Sequence, residues 1–225
     1  MYDVEKLSRD ITHNLKNKLN LDYEKSVVVE YGLYAFFHMM ISIILVAVIG
    51  AIFNVMIEAL IISFTISILR KSSGGAHASS ALNCALIGVM VSVIPAMIVT
   101  KYILNINYLV LIGLMVFIST SIIIYKLAPV DSPNKPIKKQ EKIKRLKKGS
   151  IITLLIYMFI VELNIAIYYF NKSNISLVYS LCIYIGIIWQ VFTLTKLGHT
   201  VVNLMDSFFI KLLSVKGGRE SEKVK

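Results

Sequence analysis

Six long apolar runs fill most of this 225-residue chain and constrain its fold more than any other feature. A helix needs about 20 apolar residues to cross the hydrocarbon core of a bilayer. The runs are close to that length and are separated by polar residues or glycine. We therefore predict an all-α integral membrane protein with six transmembrane helices. The runs cover approximately residues 27–49, 55–69, 78–100, 104–125, 150–170 and 176–195.

The composition also favours a bilayer over water as the solvent of this chain. Hydrophobic residues make up 56% of it and charged residues only 16%, which is too few for an ordinary soluble domain. No cleavage-type apolar segment opens the chain, so we expect no removable signal peptide. The two cysteines, Cys84 and Cys182, lie in different apolar runs, and this predicts neither a secretory disulfide nor a structural zinc site. We expect no metal and no cofactor.

The positive charges predict the orientation of the chain in the membrane. If the N-terminus is cytoplasmic, all of the 24 Lys and Arg residues except Lys101 and Lys172 fall in segments on the inner side. Cytoplasmic loops attract basic residues in this way, so we expect both termini in the cytoplasm. The formal net charge of +11 then reflects topology and contact with anionic lipid, and we expect no nucleic-acid partner.

The whole chain, residues 1–225, is predicted to be a single polytopic membrane domain. Both ends carry apolar side chains at steps of three and four, which is typical of amphipathic helices lying on the inner leaflet. Basic residues after the fourth span predict a short helix on anionic headgroups, preceded by a proline-rich segment. The predicted parts are an interfacial helix (1–25), four spans (27–125) with a catalytic loop (70–84), a basic cytoplasmic loop (126–149), two spans (150–196), and an amphipathic helix with a tail (197–225).

Residues suited to catalysis are concentrated between the second and third runs. Arg70, Gly74, Gly75 and His77 precede the third run, and Cys84 follows His77 by seven residues. An imidazole beside a thiol produces a nucleophile at neutral pH. On one straight helix these two residues would be about 10 Å apart, too far for a hydrogen bond. We therefore expect a loop that folds back over the start of the third span, which the two glycines allow because they admit positive φ and close backbone approach.

Other residues of this segment are candidates for supporting roles. A helix that begins near Ser79 or Ser80 would put the cysteine one turn from its positive end. Either the Arg70 guanidinium or backbone N–H groups of the glycine pair could stabilise an oxyanion. No acidic residue accompanies the loop, so Ser79 and Asn83 are the candidates for orienting the imidazole.

Together these residues resemble the AgrB (accessory gene regulator B) family of membrane endopeptidases in bacterial peptide quorum sensing. The resemblance covers nearly the whole chain and is carried by the segment from Arg70 to Cys84, the proline-rich segment 128–136 and the segment 193–199. It implies a multi-pass protein of the bacterial cell membrane with its active site facing the cytoplasm. In the family pattern, His77 corresponds to the base and Cys84 to the nucleophile.

The resemblance also implies a substrate, an AgrD-type propeptide with an amphipathic leader, a central Cys or Ser and an acidic tail. Removal of the tail leaves the peptide as a thioester on Cys84, and the peptide's own Cys or Ser then closes a thiolactone or lactone. A homodimer is compatible with the resemblance. Basic residues of the cytoplasmic loop would attract the acidic tail. These residues are Lys135, Lys138, Lys139, Lys142 and Lys144.

Two other classes of membrane protein stay open at this point. The intramembrane acids Glu58 and Glu162 suggest a peptide transporter or exporter, although no internal repeat supports one. A non-catalytic scaffold for a partner's amphipathic helix is the second alternative. In either case His77 and Cys84 would serve packing alone, and replacing them would leave the function intact.

Overall fold

The structure of the protein is a computed structural model that describes residues 2–102, 105–130 and 139–222. The regular elements of these residues are helices, as the sequence predicts. The chain forms two compact units, Met1–Leu45 and Val46–Lys225. The helices are α1 (Tyr2–Leu19), α2 (Tyr23–Ile52), α3 (Met56–Ser73), α4 (Ala81–Val99), α5 (Ile106–Leu127), α6 (Gln140–Asn171), α7 (Asn174–Phe192) and α8 (Lys196–Glu222).

The first unit contains α1 and most of α2. Arg9 of α1 lies 3.1 Å from Glu5 of the same helix and 3.5 Å from Glu30 of α2. The Oδ1 atom of Asp22 accepts a hydrogen bond from the Lys25 N–H at 2.7 Å, which satisfies a free donor at the start of α2. Because of this cap, α2 begins four residues before the predicted start at Val27.

α7 is the central helix of the second unit and contacts α3, α4, α5 and α6. Its Ile187 belongs to one buried apolar cluster with Leu69 of α3 and Leu154 of α6. Gly186 allows α3 to approach closely, since a Cβ at this position would lie 2.7 Å from the Thr65 side chain. This packing brings the end of α3 beside the end of α7, where the candidate site lies.

Five helices of the described residues, α2 and α4–α7, are long and apolar enough to cross a membrane. Their exposed faces carry large apolar side chains such as Leu114 and Ile118 of α5, which suits lipid and not water. The 18-residue α3 carries three charges, Glu58, Arg70 and Lys71, and is not among these five. The all-α membrane fold is confirmed, whereas the six spans and the cytoplasmic termini stay predictions.

The structure of the basic segment before the fifth predicted span differs from the predicted one. Residues from Gln140 onward form the first turns of α6, so they are continuous with the span and do not make a separate short helix. Most residues between Gln140 and Ser150 are strong helix formers, and none is proline. Gly149 lies against α3, where a Cβ would be 3.4 Å from that of Ser72. The proline-rich stretch 131–136 lies outside the described residues.

α8 follows α7 after a break of three residues and contacts α4. Val202, Asp206 and Phe209 are buried on one face, at spacings of four and three residues. Leu204 and Phe208 stay exposed on the other side. The predicted C-terminal helix is therefore present, and one of its faces packs on the protein.

Candidate active site

The loop between α3 and α4 contains both predicted glycines in the backbone conformation expected of them. Gly74 has a φ of 70° and Gly75 a φ of 134°, a region that other residues rarely adopt. A Cβ on Gly74 would collide with the Val130 carbonyl, and one on Gly75 would lie 2.6 Å from Thr193 Oγ1. Glycine is required here both by the backbone conformation and by the close neighbours.

Backbone hydrogen bonds hold this loop from two sides. The Val130 N–H donates to the Ser73 carbonyl at 2.9 Å, and the Ala76 N–H donates to the Thr193 carbonyl at 3.1 Å. Val130 follows α5, and Thr193 follows α7. The loop is thus attached to the ends of two helices that are distant from it in the sequence.

Gln190 of α7 connects the loop to Arg70. Its buried side chain donates to the Gly74 carbonyl at 2.7 Å and to Ser73 Oγ at 3.0 Å, and its Oε1 accepts from Arg70 Nε at 3.1 Å. Both amide protons and the carbonyl oxygen are therefore satisfied, as a buried polar group requires. Gln190 was not among the predicted site residues, although a lone amide inside the apolar run 176–195 was an available indication.

Arg70 and Cys84 line the same narrow cleft. The Arg70 guanidinium lies close enough to the partly buried Cys84 thiol to interact with it electrostatically. The cleft encloses about 40 Å³, and its walls include Ala76, Ala78 and Trp189. A cysteine thiol is a potential nucleophile, and a guanidinium beside it can stabilise an oxyanion. This arrangement suits covalent attack on an electrophilic carbon.

His77 lies in the loop, before α4 begins. The residue is exposed, yet partial desolvation of its ring lowers its pKa below the ordinary histidine value, and the positive charges of Arg70 and His199 act in the same direction. A neutral imidazole can accept a proton, so the lowered pKa suits a base. Among the described residues no hydrogen bond joins His77 to Cys84, and such bonds are often long before the substrate arrives.

The start of α4 matches the predicted cap. The Ser80 side chain accepts a hydrogen bond from the Asn83 N–H at 3.1 Å, and the helix begins at Ala81. Cys84 therefore lies one turn inside the helix, near the positive end of its dipole.

Ser79 and Asn83, the predicted partners of the imidazole, are both engaged by an acid of α8. Asp206 Oδ1 accepts from Asn83 Nδ2 at 2.7 Å and from Ser79 Oγ at 3.1 Å, and its Oδ2 accepts from the Ser79 N–H at 3.1 Å. Burial raises the pKa of Asp206, but these hydrogen bonds outweigh burial and lower the pKa overall. Asp206 was not among the predicted site residues, and it lies on the apolar face of α8 between Val202 and Phe209.

The predicted basic surface is only partly described. Lys139, Lys142 and Lys144 are exposed at the beginning of α6. Lys135 and Lys138 lie outside the described residues. The three described lysines form a solvent-accessible positive surface that could attract an acidic segment.

Comparisons with known proteins identify the family. The model of the family described as accessory gene regulator B matches residues 8–194. AgrB-like proteins of Clostridium perfringens strains SM101 and 13 are 43% and 42% identical over 215 and 213 residues, which is 93% of this chain and 100% of each relative. Accessory gene regulator protein B of Staphylococcus intermedius is 25% identical over 146 residues, 65% of this chain and 75% of that protein. No solved structure matches. The extent of the family match and the identity to the clostridial relatives show that the chain belongs to the AgrB family of accessory gene regulator proteins.

Proposed function

We propose that this protein is a membrane cysteine endopeptidase that removes the C-terminal tail of an AgrD-type propeptide and enables its macrocyclisation in quorum sensing. The observation that carries the proposal is the cleft that Arg70 and Cys84 line together, next to the loop that contains His77. Membership of the accessory gene regulator family supports the substrate class.

Cys84 is the nucleophile of the first step. His77 takes the thiol proton, and Cys84 Sγ attacks the carbonyl carbon at the junction with the tail. The Arg70 guanidinium, anchored through its Nε by Gln190, stabilises the oxyanion of the tetrahedral intermediate. The C–N bond then breaks, and the proton held by His77 passes to the leaving amine of the tail. The peptide is left as a thioester on Cys84.

The second step requires that water is kept away from the thioester. A Cys or Ser of the peptide attacks the thioester carbonyl, which closes the ring and frees the Cys84 thiol. Exchange of one thioester for another is nearly balanced in energy, so a ring forms only where water does not hydrolyse the intermediate first. The narrow cleft of about 40 Å³ supports this requirement, because it has room for little water.

In this proposal, exposed lysines at the beginning of α6 attract the acidic tail of the propeptide. Lys139, Lys142 and Lys144 are exposed there, and Lys135 and Lys138 add charge nearby in the sequence. In this proposal the active site and the basic surface face the cytoplasm, and lipid covers the exposed apolar faces. A homodimer is compatible with this arrangement. Attraction of this kind weakens as salt increases.

Trapping of the thioester tests the proposed function. The protein in lipid vesicles is mixed with the propeptide encoded next to its gene, in which the central Cys or Ser is replaced with alanine so that no ring can form. We expect free tail and a peptide adduct at Cys84 that hydroxylamine removes, both detected by mass spectrometry. Tail release without an adduct, or transport of uncleaved peptide into the vesicles, would contradict the proposal, the latter in favour of an exporter.

The pH profile of tail removal should reflect the environment of His77. Because its pKa is lowered, the rate should persist below the pH at which an ordinary histidine is protonated. The substitution His199→Gln removes one of the charges that lower this pKa, so the pKa rises and the acid limb of kcat/KM moves to higher pH. Measurements between about pH 5 and 8 cover the acid limb.

Thr200→Ala is the control, because it changes an exposed residue next to His199, and it should keep the wild-type pH profile. If the acid limb stays in place in His199→Gln, the assignment of that limb to His77 is refuted.

A further inference from the structure

Asp206 of α8 forms hydrogen bonds with two residues that lie between His77 and Cys84. Its carboxylate accepts from the backbone and side chain of Ser79 and from the side chain of Asn83. Ser79 follows His77 by two residues, and Asn83 directly precedes Cys84. One carboxylate therefore links the end of the loop with the first turn of α4.

The packing of α8 holds this carboxylate in place. Asp206 is only 8% exposed, and Val202 and Phe209 on the same face are 3% and 7% exposed. The amide of Asn83, 3% exposed, has no described acceptor other than Asp206. Hydrogen bonds to an ionised carboxylate are stronger than bonds between neutral groups, so this contact resists displacement.

We propose that Asp206 is a positioning residue for the reaction of Cys84. It fixes the loop that carries His77 relative to the first turn of α4, and it does so from α8, a helix that follows the segment matched by the family, residues 8–194. The inference rests on the proposed function. It adds that α8 is part of the active-site support and not only an anchor on the membrane.

An exchange of the two side chains tests the contact. The substitution Asp206→Asn replaces one carboxylate oxygen with an NH2 donor, so the side chain cannot accept from both the Asn83 amide and the Ser79 N–H, and one of these bonds is lost. We expect kcat for tail removal to fall by about tenfold or more, with KM changed by less than about twofold, because positioning acts on the chemical step. The double variant D206N/N83D restores a donor opposite an acceptor and should recover kcat to within about threefold of the wild type.

Two controls separate positioning from general loss of structure. Ser207→Ala is exposed on the same helix and should leave kcat unchanged. Phe209→Ala weakens the packing of α8 without removing a bond to the loop, so it should lower the melting temperature with a smaller loss of kcat than Asp206→Asn. Wild-type kcat in Asp206→Asn, or a double variant no better than the single variants, would overturn the proposal.

The rate of Cys84 alkylation by iodoacetamide gives a readout that does not depend on the substrate. In a Cys182→Ala background, Asp206→Asn should alkylate several times faster than its parent, because the first turn of α4 is less firmly held, and the exchanged pair should return to the parent rate. If the wild type does not process the propeptide, the proposed function fails, and this measurement still decides the role of Asp206. If Asp206→Asn is not recovered folded, Asn83→Ala replaces it, and parent rates of alkylation and turnover in that variant overturn the proposal.

Discussion

Tail removal is expected to stop when Cys84 is replaced with alanine, because no other described group at the cleft can form the thioester. We expect a loss of about 10³-fold or more for Cys84→Ala. His77→Ala should lower the rate by about 10²- to 10⁴-fold, the usual contribution of a general base. The measurement is the release of tail from the propeptide in vesicles, with the folded fraction of each variant checked by its melting temperature.

Cys182 provides the matched control for this prediction. It is fully buried in α7, in contrast to the partly buried Cys84. Cys182→Ala should therefore cost about 1 kcal/mol of stability through lost packing and leave tail removal close to the wild-type rate. Normal tail removal by Cys84→Ala or by His77→Ala would end the proposal of a catalytic pair and favour an exporter or a scaffold.

The second large effect is expected at Gly75. A methyl group there would lie 2.6 Å from Thr193 Oγ1 and 3.2 Å from Gln190 Nε2, at a φ of 134° that alanine rarely adopts. The backbone strain alone costs about 1–3 kcal/mol. The loop must also move away from Gln190, which anchors Arg70. Since a displacement of about 1 Å can cost 10²-fold in rate, Gly75→Ala should lower tail removal by about that factor and also lower the melting temperature.

Gly32 of α2 is the control for a glycine substitution. A Cβ at this position has no neighbour within 4 Å, and its φ is that of an ordinary helix. Gly32→Ala should preserve the rate of tail removal and add up to about 1 kcal/mol of stability, because alanine is the better helix residue. If Gly75→Ala were as active and as stable as Gly32→Ala, the described position of the loop could not be the one used in catalysis.

Much of the fold followed from local patterns in the chain. Apolar runs of nearly membrane length indicated the helices. The break from Gly50 to Asn54 indicated the turn between α2 and α3, where Asn54 has a left-handed φ of 57°. A serine cap at position 79 or 80 was recognisable, and so was a fold-back at the glycine pair. Each of these features depends on residues that are close together in the sequence, so it can be predicted from the sequence without knowing the fold. The boundary before α6 was misplaced, because the basic composition of that segment suits both a loop and a helix that continues into the span.

The sequence by itself determined the class of protein, the loop with its two glycines, and the pair of residues suited to thiol chemistry. Only the tertiary structure decided what surrounds that pair. The bond between Gln190 and Arg70 spans 120 residues, and that between Asp206 and Ser79 spans 127. Hydrophobic periodicity shows that a helix has a buried face, but which polar atoms meet across two helices depends on how those helices pack. Asp206 was therefore visible in the sequence, but only the fold brings its carboxylate to Ser79 and Asn83.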